Sequence, residues 1–123
     1  PAFKEYPALE SFRGKPKGVD FSSSATARTA LDTRARQLLR EEAAKAPNFA
    51  GAYRLVEIGC GTGCQAVFVV SLATGHIYQL REGATYGVEV RVDSRVIVIK
   101  ADPVNKLPAK YFVFERGTFR AVP

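Results

Sequence analysis

The spacing of hydrophobic and polar residues changes from a helical to a strand period near residue 50. Before that point five apolar residues recur at helical spacing: Leu31, Ala35, Leu38, Leu39 and Ala46. The same segment is rich in Ala, Leu, Arg, Glu and Gln, which are good helix formers. Pro47 ends the pattern, and the serines at 22–24 offer oxygens for an N-cap. These features predict one helix over residues 25–46.

After residue 51 the apolar residues follow the period of strands. Residues 88–92 alternate strictly between valine and a charged residue, which indicates a strand with one buried face. The other predicted strands are runs of Val, Ile, Phe and Tyr between turn residues, at 53–59, 64–72, 76–80, 95–100, 111–115 and 118–122. Because the connections are short, neighbouring strands should pair antiparallel. The predicted fold class is α+β, with one N-terminal helix packed on an antiparallel meander sheet of about five to seven strands.

The length of 123 residues predicts a single domain, 1–123, with the sheet spanning 53–122. Prolines and glycines interrupt any period in residues 1–23, so we expect an irregular N-terminal segment with a short edge strand at 19–21. One core is expected to bury nine apolar side chains: Leu31, Leu38, Val56, Phe68, Val70, Val90, Ile97, Phe112 and Phe114.

The net charge of +6 favours an acidic partner, such as an acidic protein or an acidic component of the cell envelope. The basic residues are scattered and match no nucleic-acid module, so no nucleic-acid partner is expected. No apolar run reaches the roughly 18–20 residues that span a membrane.

Cys60, Cys64 and the single His76 are poorly spaced for zinc, and no set of catalytic residues can be recognised. Glu57 and Glu82 could form a pair of catalytic carboxylates, but nothing in their spacing indicates that they meet. We therefore expect neither a metal nor a cofactor.

Residues 55–63 read Leu-Val-Glu-Ile-Gly-Cys-Gly-Thr-Gly and resemble the first motif of class I S-adenosylmethionine-dependent methyltransferases. That resemblance implies a cofactor cradled where a strand turns into a helix, with Glu82 on the ribose hydroxyls. The segment after Gly63 is rich in Val and Phe, which favours a strand over a helix. Residues 64–123 are also too few for the rest of a doubly wound sheet. A methyltransferase-like protein is therefore an alternative and not the main prediction.

The same stretch also reads as a hairpin with a three-residue loop, Gly61-Thr62-Gly63. In that register Cys60 and Cys64 face each other at a distance that suits a disulfide. Further pairs would be Ile58 with Ala66, Val56 with Phe68 and Leu55 with Val69. Two cysteines are an even count, compatible with an oxidising compartment. A thiol-disulfide redox protein that uses Cys60 and Cys64 is a further alternative.

Several short motifs together resemble an uncharacterised family of small exported bacterial proteins. They are Asp20-Phe21-Ser22, Pro47-Asn48-Phe49-Ala50-Gly51-x-Tyr53, Gly59-Cys60-Gly61-Thr62-Gly63-Cys64-Gln65, Thr74-Gly75-x-x-Tyr78 and Asp93-Ser94-Arg95. The chain departs from the family pattern at Ala52, where His is expected, and at Ile58, where Trp is expected. The resemblance covers residues 19–122 and implies an extracytoplasmic location without an established activity.

These observations favour a non-enzymatic, exported binding module that is periplasmic or secreted. The chain starts at Pro1 and contains no methionine, which favours a mature form after removal of a signal peptide. The expected binding residues are Gly61, Thr62, Gly63 and Gln65, at the tip of a hairpin stapled by Cys60 and Cys64. An inhibitor or immunity-type protein for an envelope enzyme is one concrete form of this prediction.

Overall fold

The structure is a computed structural model that describes residues 2–24, 31–61 and 64–123, without the side chains of residues 60, 61 and 64. Its regular elements are α1 (Thr33–Glu42), β1 (Tyr53–Gly61), β2 (Cys64–Ser71), β3 (Ile77–Leu80), β4 (Val88–Glu89), β5 (Val96–Ile99), β6 (Lys110–Glu115) and β7 (Thr118–Val122). The strands form two antiparallel sheets, sheet A (β1-β2-β3) and sheet B (β4-β5-β6-β7). The α+β class and the antiparallel pairing are confirmed. The prediction of one meander sheet is wrong, because no strand of sheet A pairs with a strand of sheet B among the described residues.

Helix α1 is shorter than predicted at both ends, because Asp32 caps its start and it ends at Glu42 rather than at residue 46. The Asp32 carboxylate accepts a hydrogen bond from the Ala35 N–H at 2.8 Å, and the backbone of Asp32 is extended. Residues 31 and 32 are therefore outside the helix, and the predicted residues 25–30 lie outside the described part of the chain. The serines at 22–24 do not cap α1. Residues 21–23 form a 3-10 turn capped by Asp20, in place of the predicted edge strand at 19–21.

Sheet A is the middle layer of the fold and buries side chains on both of its faces. Val56, Ile58, Phe68 and Val70 pack with the apolar side of α1. The alternate residues Leu55, Val67 and Val69 pack against sheet B. Because β2 lies between two apolar layers, it needs apolar residues at nearly every position, which explains the apolar run from Ala66 to Val70.

The predicted core is real but is divided between the two faces of sheet A. Five of its residues are buried: Val56, Phe68, Val70, Ile97 and Phe114. The other four, Leu31, Leu38, Val90 and Phe112, are partly buried against the same two clusters. Strand β4 is also shorter than the predicted 88–92, because only Val88 and Glu89 pair with β5.

Residues 2–24, which we call the strap, contain 3-10 turns at Phe3–Glu5 and Phe21–Ser23 and run across both sheets. Phe3 and Tyr6 cover a third apolar cluster on sheet B, formed by Val96, Val113 and Val122. Further along, four backbone N–H groups of the strap donate to the body of the protein: Ala8 to Asp93 O (2.9 Å), Phe12 to Gly51 O (3.1 Å), Lys17 to Leu72 O (3.0 Å) and Asp20 to Gly75 O (2.9 Å). The strap therefore joins sheet B to sheet A.

Candidate functional site

The β1–β2 hairpin has the predicted register through most of its length. Leu55 pairs with Val69, Val56 with Phe68, and Ile58 with Ala66. Because Cys64–Ser71 is a strand, the strand–loop–helix arrangement of a methyltransferase cofactor site is not formed here.

At its end the hairpin departs from the predicted three-residue loop. The register shifts between Gly59 and Gly61, and Gly61 pairs with Cys64. Gly61 therefore belongs to β1, and only residues 62 and 63 lie between the strands.

The predicted tip lies largely outside the described residues. Thr62, Gly63 and the side chains of Cys60 and Cys64 are not described, so the disulfide stays a prediction. Gln65 is described, and it is half-buried in β2 opposite Gly59.

The hairpin extends beyond the rest of sheet A. Strand β3 pairs with β2 only from Val67 to Val70. The last three pairs of the hairpin, which include Gly59 with Gln65, lie beyond the end of β3. The hairpin therefore ends in a two-stranded arm, which consists of residues 58–61 and 64–66 and carries the described part of the predicted site. The base of the arm, Ile58 with Ala66, still packs in the cluster that includes α1.

A second candidate site, which the sequence did not predict, is a cleft of about 610 Å³ between the strap and the β6–β7 turn. We call it the strap cleft. Its lining residues come from four separate stretches of the chain: Leu9, Glu10, Ala50, Tyr53, Arg95, Phe114, Glu115, Arg116 and Thr118. Its volume is within the range of about 300–1,000 Å³ that is typical of small-molecule sites.

Tyr53 fixes the position of one carboxylate in the strap cleft. Its hydroxyl donates to Glu10 Oε2 at 2.7 Å, and its ring meets Phe114 edge to face with centroids 4.9 Å apart. Burial and then the Glu10 carboxylate raise the pKa of Tyr53, so its phenol keeps its proton. Burial also raises the pKa of Tyr78, whose ring meets the same Phe114 at 5.3 Å.

Glu115 is neutralised by two arginines. Its Oε1 accepts from Arg95 Nη1 at 3.0 Å and from Arg120 Nη2 at 3.1 Å. The hydrogen bond from Arg120, and then the contacts with Arg95, lower the pKa of Glu115, so the carboxylate stays charged. Arg95 also donates through Nε to Pro7 O at 2.9 Å, which ties the strap to the start of β5.

The backbone around the strap cleft is strained at two places. Three non-glycine residues in the described part of the chain have a positive φ: Ala50 (51°), Lys106 (57°) and Arg116 (50°). Ala50 and Arg116 both line the cleft. Such conformations are uncommon outside glycine, and they concentrate at functional sites.

The motifs that resemble the exported family mainly hold the strap in place. The buried Ser94 hydroxyl lies 2.7 Å from Phe3 O and 3.1 Å from Tyr6 O, and accepts from the Val96 N–H at 3.1 Å. A Cβ atom on Gly51 would lie only 1.8 Å from Glu10 O. Gly51 therefore has to be glycine for the strap to reach its place beside the sheet.

Other motif residues support the edge of sheet A. The Asn48 side chain donates to Leu55 O at 3.1 Å and accepts from the Leu55 N–H at 2.7 Å, as a neighbouring strand would. The two departures from the family pattern, Ala52 and Ile58, are both buried. They are therefore core positions in this chain.

His76 and Glu82, which the sequence offered as possible functional residues, both have structural partners. His76 stacks on Tyr78 with centroids 4.4 Å apart. Glu82 does not meet Glu57 but accepts from Lys110 Nζ at 3.0 Å. Within residues 2–24, 31–61 and 64–123, no three His, Cys, Asp or Glu side chains are grouped to hold a metal, and no helix is long and apolar enough to cross a membrane.

Comparison with known proteins does not assign the chain to a family. No protein-family model, no curated protein and no solved structure matches it. The candidate sites therefore have to be judged on their geometry alone.

Proposed function

We propose that the protein is a non-enzymatic, exported binding module that presents the end of its β1–β2 hairpin to a protein or an acidic envelope component. The binding residues would be Gly61, Thr62, Gly63 and Gln65. The observation that supports this proposal is the two-stranded arm, in which three pairs of the hairpin lie beyond the end of β3. An arm of this shape suits insertion into the cleft of an envelope enzyme, as an inhibitor or immunity-type protein does.

A disulfide between Cys60 and Cys64 would serve binding more than stability. A two-stranded ribbon is marginally stable by itself. A bridge across so few residues stabilises a fold by only about 2 kcal/mol in the chain-entropy model. It would nevertheless stiffen the arm before the partner arrives, which lowers the entropy lost on binding. The predicted location is accordingly an oxidising compartment, periplasmic or secreted.

The test compares binding with folding in two variants of the arm. A partner recovered from an envelope fraction with the wild-type protein is titrated against the Cys60→Ser/Cys64→Ser double variant and against Thr62→Arg. We expect both to weaken binding at least tenfold while the melting temperature falls by only a few degrees, roughly as far as the small bridge predicts.

Ser11→Arg is the matched control for the added charge, because Ser11 is exposed beside Gly51, before the start of β1 and away from the arm. It should leave the affinity unchanged. Undiminished affinity of the double serine variant, or two free thiols in protein purified without reductant, would contradict the proposal.

A further inference from the structure

Two opposite charges in the strap cleft lack an ion-pair partner. Glu10 comes from the strap and Arg116 from the β6–β7 turn, and both line the cleft. Neither forms a salt bridge with the other or with any other described residue. The remaining charges of the cleft, on Arg95 and Glu115, are paired with each other. The cleft therefore offers one free anion and one free cation.

Arg116 occupies a backbone position that does not favour arginine. With φ of 50° at Arg116 and 78° at Gly117, the turn between β6 and β7 has two left-handed residues, for which Asn-Gly is the preferred sequence. A Cβ atom on Gly117 would lie 2.8 Å from Tyr78 Cε1, so the turn is docked closely on that ring. The Arg116 side chain forms no ion pair with the described residues, and Arg116 is one of the residues that line the cleft.

Glu10, in contrast, is held in place through only one of its two carboxylate oxygens. Its Oε2 accepts from the Tyr53 hydroxyl, and its Oε1 has no hydrogen-bond partner within the described chain. The strap backbone at Glu10 is fixed as well, because its carbonyl lies against Gly51. A carboxylate with a free oxygen beside an aromatic ring is a suitable partner for an ammonium group.

We propose that the strap cleft binds a short zwitterionic peptide. Its ammonium group would meet Glu10 and the ring of Tyr53, and its carboxylate would meet the Arg116 guanidinium in a bidentate pair. An apolar side chain of the peptide would lie on the exposed side chain of Leu9. The volume of about 610 Å³ leaves room for two or three residues.

The charges of the cleft favour this ligand over a phosphate or a nucleotide. Arg116 is the one unpaired cation among the described lining residues, and Glu10 would repel a second negative charge. A neutral sugar could form hydrogen bonds with both groups but would leave each of them without an opposite charge. This site is separate from the hairpin arm, so the inference does not depend on the proposed function of the arm.

The test is a set of calorimetric titrations with Ala-Leu and Ala-Ala-Leu, each in its free, N-acetylated, C-amidated and doubly blocked forms. Loss of a hydrogen bond to a charged group should weaken binding about tenfold or more for each blocked end. Resonances of Ala50, Tyr53 and Thr118 should shift in the NMR spectrum on addition of the free peptides. Equal affinity for the free and doubly blocked peptides, or no binding by any of them, would overturn the inference.

Two conservative variants assign the two ends of the peptide. In Glu10→Gln, which keeps an acceptor for Tyr53, N-acetylation should no longer weaken binding. In Arg116→Asn, which favours the turn, amidation should no longer weaken binding. Glu89→Gln and Arg34→Gln remove the same charges from exposed residues outside the cleft and should retain both effects. The Cys60→Ser/Cys64→Ser variant should bind the peptides normally, so failure of the arm and failure of the cleft are distinguishable.

Discussion

At the scale of single residues, Ser94 shows how one small polar side chain can organise a long segment. Its hydroxyl is in contact with the carbonyls of Phe3 and Tyr6 and with the N–H of Val96. Its own carbonyl accepts from the Ala50 N–H at 3.0 Å. Ser94 therefore connects the strap, the loop before β1 and the start of β5, although it is only 1% exposed.

Ser94→Ala should destabilise the protein by about 1–3 kcal/mol, because it leaves the buried Val96 N–H without its hydrogen-bond partner. The free energy of unfolding is measured by urea denaturation, with the slope checked for two-state behaviour. Ser11→Ala, at an exposed strap residue, is the control and should change stability by less than about 0.5 kcal/mol. A cost for Ser94→Ala as small as that of the control would mean that water replaces the hydroxyl.

At the scale of elements, β2 is the strand on which the layers of the protein depend. Phe68 and Val70 face α1, whereas Val67 and Val69 face sheet B, and all four are almost fully buried. Phe68 has two cross-strand neighbours, Val56 on β1 and Gln79 on β3. A cavity at Phe68 would therefore lie between the helix and the middle strand, where neighbouring strands limit collapse.

Phe68→Ala should cost about 3–5 kcal/mol of stability, the range for a large aromatic side chain removed from a packed core. Denaturant unfolding measures it, and Phe68→Leu, which refills most of the volume, should cost clearly less. A loss under about 1 kcal/mol would show that the helix layer closes over the site or packs only loosely on sheet A.

The strands could be predicted from the sequence because their period and turn residues are local signals. The register of β1 with β2 follows from the short connection between them. The division into two sheets could not be predicted, because nothing in residues 81–87 shows that this link carries the chain from sheet A to sheet B. The start of α1 was missed because helix propensity continues before Asp32, and the capping bond of that residue decided the boundary.

At the scale of the whole molecule, the strap cleft could not be predicted because it exists only in the tertiary structure. Glu10 and Arg116 are far apart in the sequence, and each reads as an ordinary surface charge. The one local signal was the Arg-Gly pair in a tight turn, where Asn-Gly is preferred. The hairpin that carries the arm, in contrast, could be predicted from the sequence because its residues are contiguous in the chain.

The layers of the molecule are also joined by ion pairs that depend on pH. Glu42 on α1 accepts from Lys45, and from Arg54 of β1 at 3.0 Å. The Lys45 hydrogen bond, followed by that from Arg54, lowers the pKa of Glu42 below its usual 4.5. Glu115 joins β6 to β5 and β7 in the same way, and its pKa is also lowered. Both carboxylates are charged in the folded protein at pH values where they are already partly protonated in the unfolded chain.

Stability should therefore fall as the pH is lowered below about 4.5, by the linkage between proton binding and folding. A lowered folded pKa gives stability that is complete above the unfolded pKa and disappears as the pH falls through the folded pKa. Urea midpoints measured at pH 7 and pH 3 test this, with the drop expected to be smaller in Glu42→Gln and in Glu115→Gln. Glu89→Gln removes an exposed carboxylate of β4 and should show the wild-type drop. If the urea midpoint falls as far in both test variants as in the wild type, protonation of other groups causes the loss of stability. These ion pairs then contribute nothing measurable to the stability of the folded protein.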